Sequence, residues 1–231
     1  ETGGSDFAML ASMKTSITSV ALSTVLLLGS CVTAPSIEPF VALGPETGLS
    51  EWRHQNGRDA DWTDLGGGAM EVRAGTGNLF TREHFGDARI ELDFMTPIMP
   101  NAKGQGRGNS GVYVQGLYEV QVLDSFGIEP GMDTCGAIYN VSVASASVCL
   151  APGEWQHYAI EFSAPRFDDA GSMTSKPALS VWQNGVQIQD NVELDSPTGS
   201  ASGTEAVEFG PLMLQDHGNP VRFRNVKILP R

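Results

Sequence analysis

The sequence predicts an all-β protein, a sandwich of two antiparallel sheets, and two observations support that prediction. Short runs of alternating apolar and polar residues recur from about residue 40 to the end, with turn residues between them. No segment beyond the N-terminal region keeps a helical 3.6-residue period for three turns. A chain of 231 residues with 27 glycines and 13 prolines suits one turn-rich domain with a sizeable core.

Eight segments show the strand pattern, and ARIELDF illustrates it. Its Ile90, Leu92 and Phe94 share one face of an extended chain, while the charged residues between them share the other. Asn184-Gly185, between two apolar runs, predicts a tight β-hairpin. In chain order the predicted strand regions are MEVRAG (70–75), ARIELDFMTP (88–97), SGVYVQG (110–116), LYEVQVLDS (117–125), WQHYAIEFSAP (155–165), ALSVWQNGVQIQDNVEL (178–194, both arms of the hairpin), PLMLQDH (211–217) and VRFRNVKIL (221–229).

Two long loops interrupt these strands, at 97–108 and 126–152. Loops of this length in a compact domain are usually functional or disordered. The first is rich in glycine and basic residues, but it does not connect a strand to a helix, so a phosphate cradle is not expected.

The N-terminal region predicts export rather than a part of the fold. Residues 1–12 precede a better start at Met13 and are left outside the domain. Residues 13–30 have one lysine, an apolar run and then small residues, the arrangement of a secretory signal peptide. Leu28-Gly29-Ser30-Cys31 resembles a bacterial lipobox, which predicts lipidation at Cys31; an ordinary signal peptide with an incidental cysteine is the alternative.

The domain organisation follows from that region. Residues 31–38 are predicted to be a tether, and 39–231 a single β-sandwich domain. The expected location is outside the cytoplasm, lipid-anchored in the periplasm or at the outer membrane. The lipid anchor would be the only contact with a membrane.

The remaining cysteines, Cys135 and Cys149, both lie in the 126–152 loop. In an exported protein an even number suggests a disulfide between them, and two separate buried thiols are the alternative. The net charge of −13 excludes nucleic acid as a natural partner, because a polyanion would be repelled. A neutral ligand such as a sugar is compatible with that charge, which is equally explained by solubility alone.

The strand YEVQVLDS is unusually polar. Tyr118, Val120 and Val122 share the apolar face, so Glu119 and Gln121 must point away from the core. Asp124 lies at the strand end, where a bend could turn it to the same side. The strand therefore either lines a wet cleft or forms plain solvent-exposed surface.

A second polar strand end follows in PLMLQDH. Gln215 and His217 share a face there, with Arg222 a few residues further on. Asp216 points the opposite way and is expected to cap the turn at Gly218-Asn219-Pro220.

Taken together, these stretches resemble the 3-keto-disaccharide hydrolase (3-keto-glycoside lyase/hydratase) domain family. The similar blocks occur in the family's order and cover about residues 46–230. The resemblance implies a concanavalin A-like jelly-roll sandwich with a sugar-facing concave sheet. The blocks are NLFTREHFGD (78–87), KGQGRGNSGVYVQGLYEVQVLDSFG (103–127), CGAIY (135–139), PGEWQHYAIEFSAPRFD (152–168), NGVQIQDNVEL (184–194) and GPLMLQDHGNPVRFRNVKI (210–228).

The implied reaction is the cleavage of 3-keto-glycosides or 3-keto-disaccharides that a separate sugar 3-oxidoreductase supplies. A base removes the C2 proton, the C1 substituent leaves by β-elimination, and hydration can follow. The site then needs a base, an acid and groups that stabilise charge on O3. Either Glu119 or His217 is expected to be the base, with Asp124 or the other member of that pair as the acid.

Five further residues are expected to hold sugar hydroxyls or the enolate oxygen: Arg107, Asn109, Gln121, Gln215 and Arg222. No cofactor is established by the sequence. The sequence leaves open whether a divalent metal ion binds, and its ligands would be Glu119, Asp124 and His217. A non-catalytic carbohydrate-binding module on a surface lipoprotein is the alternative function, and a structural lipoprotein is a third. The 126–152 loop and the loop before residue 210 depart from the family's pattern, which leaves substrate preference undetermined.

Overall fold

The computed structural model describes residues 39–231, which belong to one compact unit of fifteen β-strands and one short 3₁₀ helix. The strands are β1 (Phe40–Leu43), β2 (Trp52–His54), β3 (Thr63–Gly66), β4 (Ala69–Glu71), β5 (Leu79–Thr81), β6 (Ala88–Met95), β7 (Ser110–Val114), β8 (Tyr118–Val122), β9 (Gln156–Ser163), β10 (Arg166–Phe167), β11 (Met173–Ser175), β12 (Ala178–Gln183), β13 (Val186–Glu193), β14 (Met213–Leu214) and β15 (Arg222–Pro230). The helix is α1 (Gly104–Gly106).

Two antiparallel sheets form the sandwich. The larger has eight strands in the order β13-β12-β9-β6-β15-β4-β3, with β1 also paired to β15. The smaller has five strands in the order β2-β5-β14-β7-β8. Strands β10 and β11 form a separate two-stranded ribbon. This architecture confirms the all-β sandwich prediction.

The core lies between the sheets and follows the predicted alternation. Ile90, Leu92 and Phe94 of β6 are buried, as are the apolar residues of β8. Because Tyr118, Val120 and Val122 pack into this core, the alternate residues of β8 face the outer side of the five-stranded sheet.

Each of the eight predicted regions contains at least one strand. Asn184 and Gly185 form the predicted hairpin turn between β12 and β13, and both have positive φ, 51° and 83°. Six short strands were not predicted: β1, β2, β3, β5, β10 and β11.

The 126–152 loop runs along the outer edge of β8. Gln121 exchanges backbone hydrogen bonds with the loop, donating to Ala137 O at 2.9 Å and accepting from Gly136 N at 3.0 Å. Tyr139 N donates to Glu119 O at 3.1 Å. The loop thereby covers an otherwise open sheet edge and is fixed to the strand that carries Glu119.

Cys135 and Cys149 are both free thiols in this structure, which differs from the disulfide prediction. The two sulfurs nevertheless share a neighbour, because Nε2 of Gln183 lies 3.5 Å from Cys135 Sγ and 3.3 Å from Cys149 Sγ. A hydrogen bond to Cys135, together with burial, raises the pKa of the Cys149 thiol.

The predicted signal peptide (13–30), the lipidation site Cys31 and the tether (31–38) lie outside the described residues. Within residues 39–231 no helix has the length and apolar character of a membrane span.

Candidate active site

One cross-strand row of side chains crosses the outer face of the five-stranded sheet. Residue pairing places Arg53 opposite Phe80, Phe80 opposite Met213, Met213 opposite Tyr113, and Tyr113 opposite Glu119. Directly opposed residues of antiparallel strands project to the same side of the sheet. Glu119 therefore lies at one end of the row and Arg53 at the other.

Glu119 is a buried carboxyl group on this face, with only 3% of its surface exposed. Burial raises its pKa to about 7, and a hydrogen bond from Tyr113 partly opposes that rise. Gly111 leaves the space for this side chain, because a β-carbon there would collide with Oε1 of Glu119. A carboxyl group with this pKa is partly ionised at neutral pH and can accept a proton.

Tyr113 links the carboxyl group to its surroundings. It hydrogen-bonds Glu119 and also Ser200, while Gln215 Nε2 donates to its hydroxyl oxygen at 3.1 Å. Burial, followed by the charge of Glu119, raises the pKa of the Tyr113 hydroxyl. The phenol therefore remains a neutral donor next to the carboxylate.

Three buried amides around Glu119 have their NH₂ groups fixed by the protein. Asn109 Nδ2 donates to both Gln105 O and Gln105 Oε1 at 2.8 Å. Gln121 Nε2 donates to Gln105 Oε1 at 3.2 Å and to Asp133 O at 3.3 Å. Gln215 bonds Tyr113, as described above.

The oxygens of the same three amides, Asn109 Oδ1, Gln121 Oε1 and Gln215 Oε1, are buried without a hydrogen-bond partner. Buried polar atoms are nearly always paired, so these oxygens are available to accept hydrogen bonds from water or a ligand. Together with Glu119 they form a set of acceptors suited to hydroxyl groups.

These side chains enclose a small chamber with a volume of about 50 Å³. That is room for a few water molecules and far below the usual size of a ligand pocket. Its lining residues are Gln105, Asn109, Glu119, Gln121, Tyr139, Ser200, Gln215 and His217.

Five of the residues predicted for the site meet here: Asn109, Glu119, Gln121, Gln215 and His217. The shared outward face of Glu119 and Gln121 is confirmed. His217 is exposed at the rim, and no residue of the described part hydrogen-bonds its ring. Asp216 has the expected turn role, since its Oδ1 accepts from Gly218 N at 2.9 Å.

Three residues predicted for the site do not line the chamber. Arg222 lies on β15 of the eight-stranded sheet and pairs with Glu71, Nε to Oε2, at 2.7 Å. Arg107 and Asp124 pair with each other, Nε to Oδ2, at 2.7 Å, and Asp124 is 2% exposed. Asp124 did not turn toward Glu119 because its carboxylate anchors the 97–108 loop to the end of β8.

The sequence leaves a divalent metal ion open, with Glu119, Asp124 and His217 as its ligands, and the structure does not bring these three side chains together. Within residues 39–231 no three His, Cys, Asp or Glu side chains are arranged to hold a metal ion. Asp124 is committed to Arg107, which separates it from Glu119 and His217.

The sequence analysis missed three chamber residues, Gln105, Tyr139 and Ser200. It also missed Tyr113, which hydrogen-bonds Glu119. Tyr113 could have been found, because SGVYV alternates and places Gly111 and Tyr113 opposite the apolar Val112 and Val114. The other three come from loops distant in sequence, where no periodicity indicates orientation.

Comparison with known proteins decides the family. The model of the 3-keto-alpha-glucoside-1,2-lyase-like domain matches residues 39–229. The chain belongs to this family. No curated protein matches the sequence.

Solved structures of family-like proteins agree with the fold. A proposed glycosyl hydrolase from Parabacteroides distasonis is 32% identical with a TM-score of 0.76, and the match covers 84% of each chain. Two other proposed glycosyl hydrolases of that organism have TM-scores of 0.55. One is 19% identical and covers 80% of this chain and 90% of its own. The other is 21% identical, and the match covers 84% of this chain and 100% of that protein's chain. Membership of the lyase-like family and the first of these relatives indicate a carbohydrate-acting, glycosyl hydrolase-like enzyme.

Proposed function

We propose that the protein cleaves 3-keto-glycosides by β-elimination, with Glu119 as the base. The supporting observation is a buried carboxyl group of pKa about 7 beside three amide oxygens that are available to hydrogen-bond donors. A sugar ring supplies such donors through its hydroxyl groups. Family membership supports the 3-keto-glycoside as the substrate class.

The first step is removal of the C2 proton. In a 3-keto sugar this proton is acidic because the resulting carbanion delocalises into the C3 carbonyl as an enolate. Ionised Glu119 accepts the proton, and its raised pKa brings it close to neutral pH, where a general base is most effective. The Tyr113 hydroxyl orients the carboxylate before and after the transfer.

The second step breaks the bond between C1 and the leaving oxygen. The enolate electrons re-form the C3 carbonyl, a C1–C2 double bond appears, and the leaving oxygen takes a proton. We assign the donation of that proton to His217, which lines the chamber at its rim. The hydroxyls of Tyr139 and Ser200 line the chamber and are candidate donors to the negative charge on O3.

Hydration of the product would complete a net hydrolysis. Water adds its oxygen to C1 and a proton returns to C2, which yields the free 3-keto sugar. A separate oxidoreductase must supply the substrate, because this scheme contains no oxidation step. The predicted export and lipid anchoring remain part of the proposal and would place both enzymes outside the cytoplasm.

The test uses a chromogenic 3-keto-glucoside and its unoxidised parent. The wild type should release the aglycone from the 3-keto compound only. Glu119→Gln should reduce kcat by roughly 1000-fold or more, and His217→Ala by roughly 100-fold, within the range of general acid–base contributions. Replacement of the C2 hydrogen by deuterium should slow the wild-type reaction.

Glu154→Gln is the matched control, because Glu154 is exposed and outside the chamber. It should retain wild-type rates. Near wild-type turnover in both Glu119→Gln and His217→Ala would refute the assignment. Binding of the unoxidised glycoside without turnover of either compound would instead identify a carbohydrate-binding module.

A further inference from the structure

Arg53 is unusual among the cations of residues 39–231. Nine of the thirteen Lys and Arg side chains there form ion pairs, and the four without one are Arg53, Arg73, Lys103 and Lys227. The other three are exposed, whereas Arg53 is half-buried. Within residues 39–231, Arg53 is therefore a partly buried guanidinium without a carboxylate partner.

Two acidic residues on neighbouring segments already have other partners. Asp59, which faces Arg53 in a backbone bridge, pairs with Arg82 at 2.6 Å. Asp61 is bound by both Arg58 and His54. Although Glu51 and Glu83 lie close in sequence or in space, no carboxylate of residues 39–231 forms an ion pair with Arg53.

Arg53 faces a cavity rather than open surface. This cavity has a volume of about 190 Å³ and is lined by Arg53, His54, Gln55, Phe80, His84, Ser202 and Pro211. A second hollow of about 560 Å³ shares His54, Gln55 and Phe80 with it and adds the amides of Asn56 and Asn78. Together they offer the space and the mix of amide, aromatic and cationic groups found in ligand sites.

The cavity lies on the same face as Glu119, at the other end of the cross-strand row. Four strand-to-strand steps separate the two ends, about 19 Å along the sheet at the usual strand spacing. The segment 198–202 crosses between them. Ser200 reaches Tyr113, while Ser202 N donates to Gly116 O at 2.9 Å and Gln55 Nε2 donates to Ser202 O at 3.3 Å.

We propose that the Arg53 cavity is a subsite for a sugar residue that carries a carboxylate, in the part of the substrate distant from the bond that is cleaved. The guanidinium can bind a carboxylate through two parallel hydrogen bonds, and Gln55 can bind the neighbouring hydroxyls. A substrate that occupies both ends of the row must displace segment 198–202. The role of the Arg53 subsite in cleavage rests on the proposed function, whereas its binding of an acidic sugar does not.

His84 adds a neutral polar group to this subsite. Burial, and secondly the charge of Arg53, lowers its pKa, while Glu83 acts in the opposite direction. The imidazole is therefore uncharged at neutral pH, and Arg53 supplies the positive charge of the cavity.

Titration calorimetry with methyl β-D-glucuronide and methyl β-D-glucoside tests the proposal directly. The wild type should bind the glucuronide at least tenfold more tightly at low salt, and 0.5 M NaCl should reduce that preference. Arg53→Gln should abolish it. Lys227→Gln, which removes one charge from the opposite sheet, should leave it unchanged.

Equal affinity of the wild type for the two sugars, or a preference that survives Arg53→Gln, would overturn the subsite. The kinetic counterpart uses 3-keto-oligosaccharides whose distal residue is glucuronate or glucose. The acidic compound should have the lower KM, and Arg53→Gln should bring the two KM values together. Absence of all cleavage with an intact, Arg53-dependent glucuronide preference would refute the proposed function but not the subsite.

Discussion

At the scale of single residues, the ionisation of Glu119 affects activity and stability in opposite directions. The protein buries a carboxyl group that would ionise near pH 4.5 in the unfolded chain, and burial raises its folded-state pKa to about 7. Because the folded pKa is the higher one, the folded state binds this proton more tightly. The associated stability is complete below about pH 4.5 and is lost as the pH rises through about 7.

This linkage predicts opposite pH trends for activity and stability. kcat/KM should increase with pH up to about 7 as Glu119 ionises. As the pH rises from 4.5 to above 7, the free energy of unfolding of the wild type should fall by about 3 kcal/mol relative to that of Glu119→Gln, because glutamine does not titrate. Urea unfolding of both proteins at pH 4.5 and pH 8.5 measures the difference. A stability difference that does not change between those two pH values would contradict the raised pKa.

The residue scale also shows why some site residues were predictable and others were not. Glu119 and Gln121 follow from strand alternation, because the apolar neighbours fix which face is buried. Asp124 lies just beyond the end of β8, where alternation stops, and its partner Arg107 comes from a separate loop. Arg222 is adjacent to the polar strand end in sequence, but it begins a strand of the other sheet.

At the scale of elements, the 126–152 loop connects the cysteine pair to the site. Cys135 Sγ lies 3.2 Å from the hydroxyl of Tyr158, which donates to Gln121 O at 2.7 Å. Tyr139 of the same loop lines the chamber. The geometry of the cysteine pair is thus linked through the loop to the backbone of β8.

Under the proposed export, oxidation is expected to join Cys135 and Cys149, because the two thiols already hydrogen-bond each other. Closing this 15-residue loop should increase the free energy of unfolding by about 3 kcal/mol in the chain-entropy model. Denatured oxidised protein should show no thiol among residues 39–231 until a reductant is added. Cys149→Ser should remove the stability difference between oxidised and reduced samples. Two titratable thiols in protein isolated from an oxidising compartment would contradict the pairing.

Longer elements were the predictable ones. Strands β6, β9 and the β12–β13 hairpin have enough residues for alternation to be visible, and Asn184-Gly185 fixes the turn. Strands β2 and β5 have three residues each, too few to show a period. Their pairing is decided by contacts across the sheet, so the Arg53 end of the cross-strand row could not be inferred from sequence.

At the scale of the whole molecule, the outer faces of the two sheets differ in how their polar groups are satisfied. On the eight-stranded sheet Asp93 accepts from His157 at 2.8 Å, Arg224 at 3.0 Å and Asn225 at 2.8 Å. On the five-stranded sheet the amide oxygens near Glu119 have no partner. Asp93 is thus satisfied within the chain, whereas the amide oxygens beside Glu119 are left to bind water or a ligand.

This difference predicts that stability and activity respond to mutations on opposite faces. Asp93→Asn should lower the free energy of unfolding by about 1–2 kcal/mol, since it weakens charge-assisted hydrogen bonds, with aglycone release unchanged. Gln215→Met removes a buried oxygen without a partner but also the hydrogen bond from Nε2 to Tyr113, so the two effects oppose each other and the free energy of unfolding should change by less than about 1 kcal/mol. The kcat/KM of this variant should fall at least tenfold, because the contact between the Gln215 amide oxygen and a substrate hydroxyl is lost. Paired urea unfolding and 3-keto-glucoside kinetics measure both quantities. If Gln215→Met were as destabilised as Asp93→Asn, the Gln215 amide would be shown to stabilise the fold. The unpaired amide oxygens would then no longer support a sugar-binding surface.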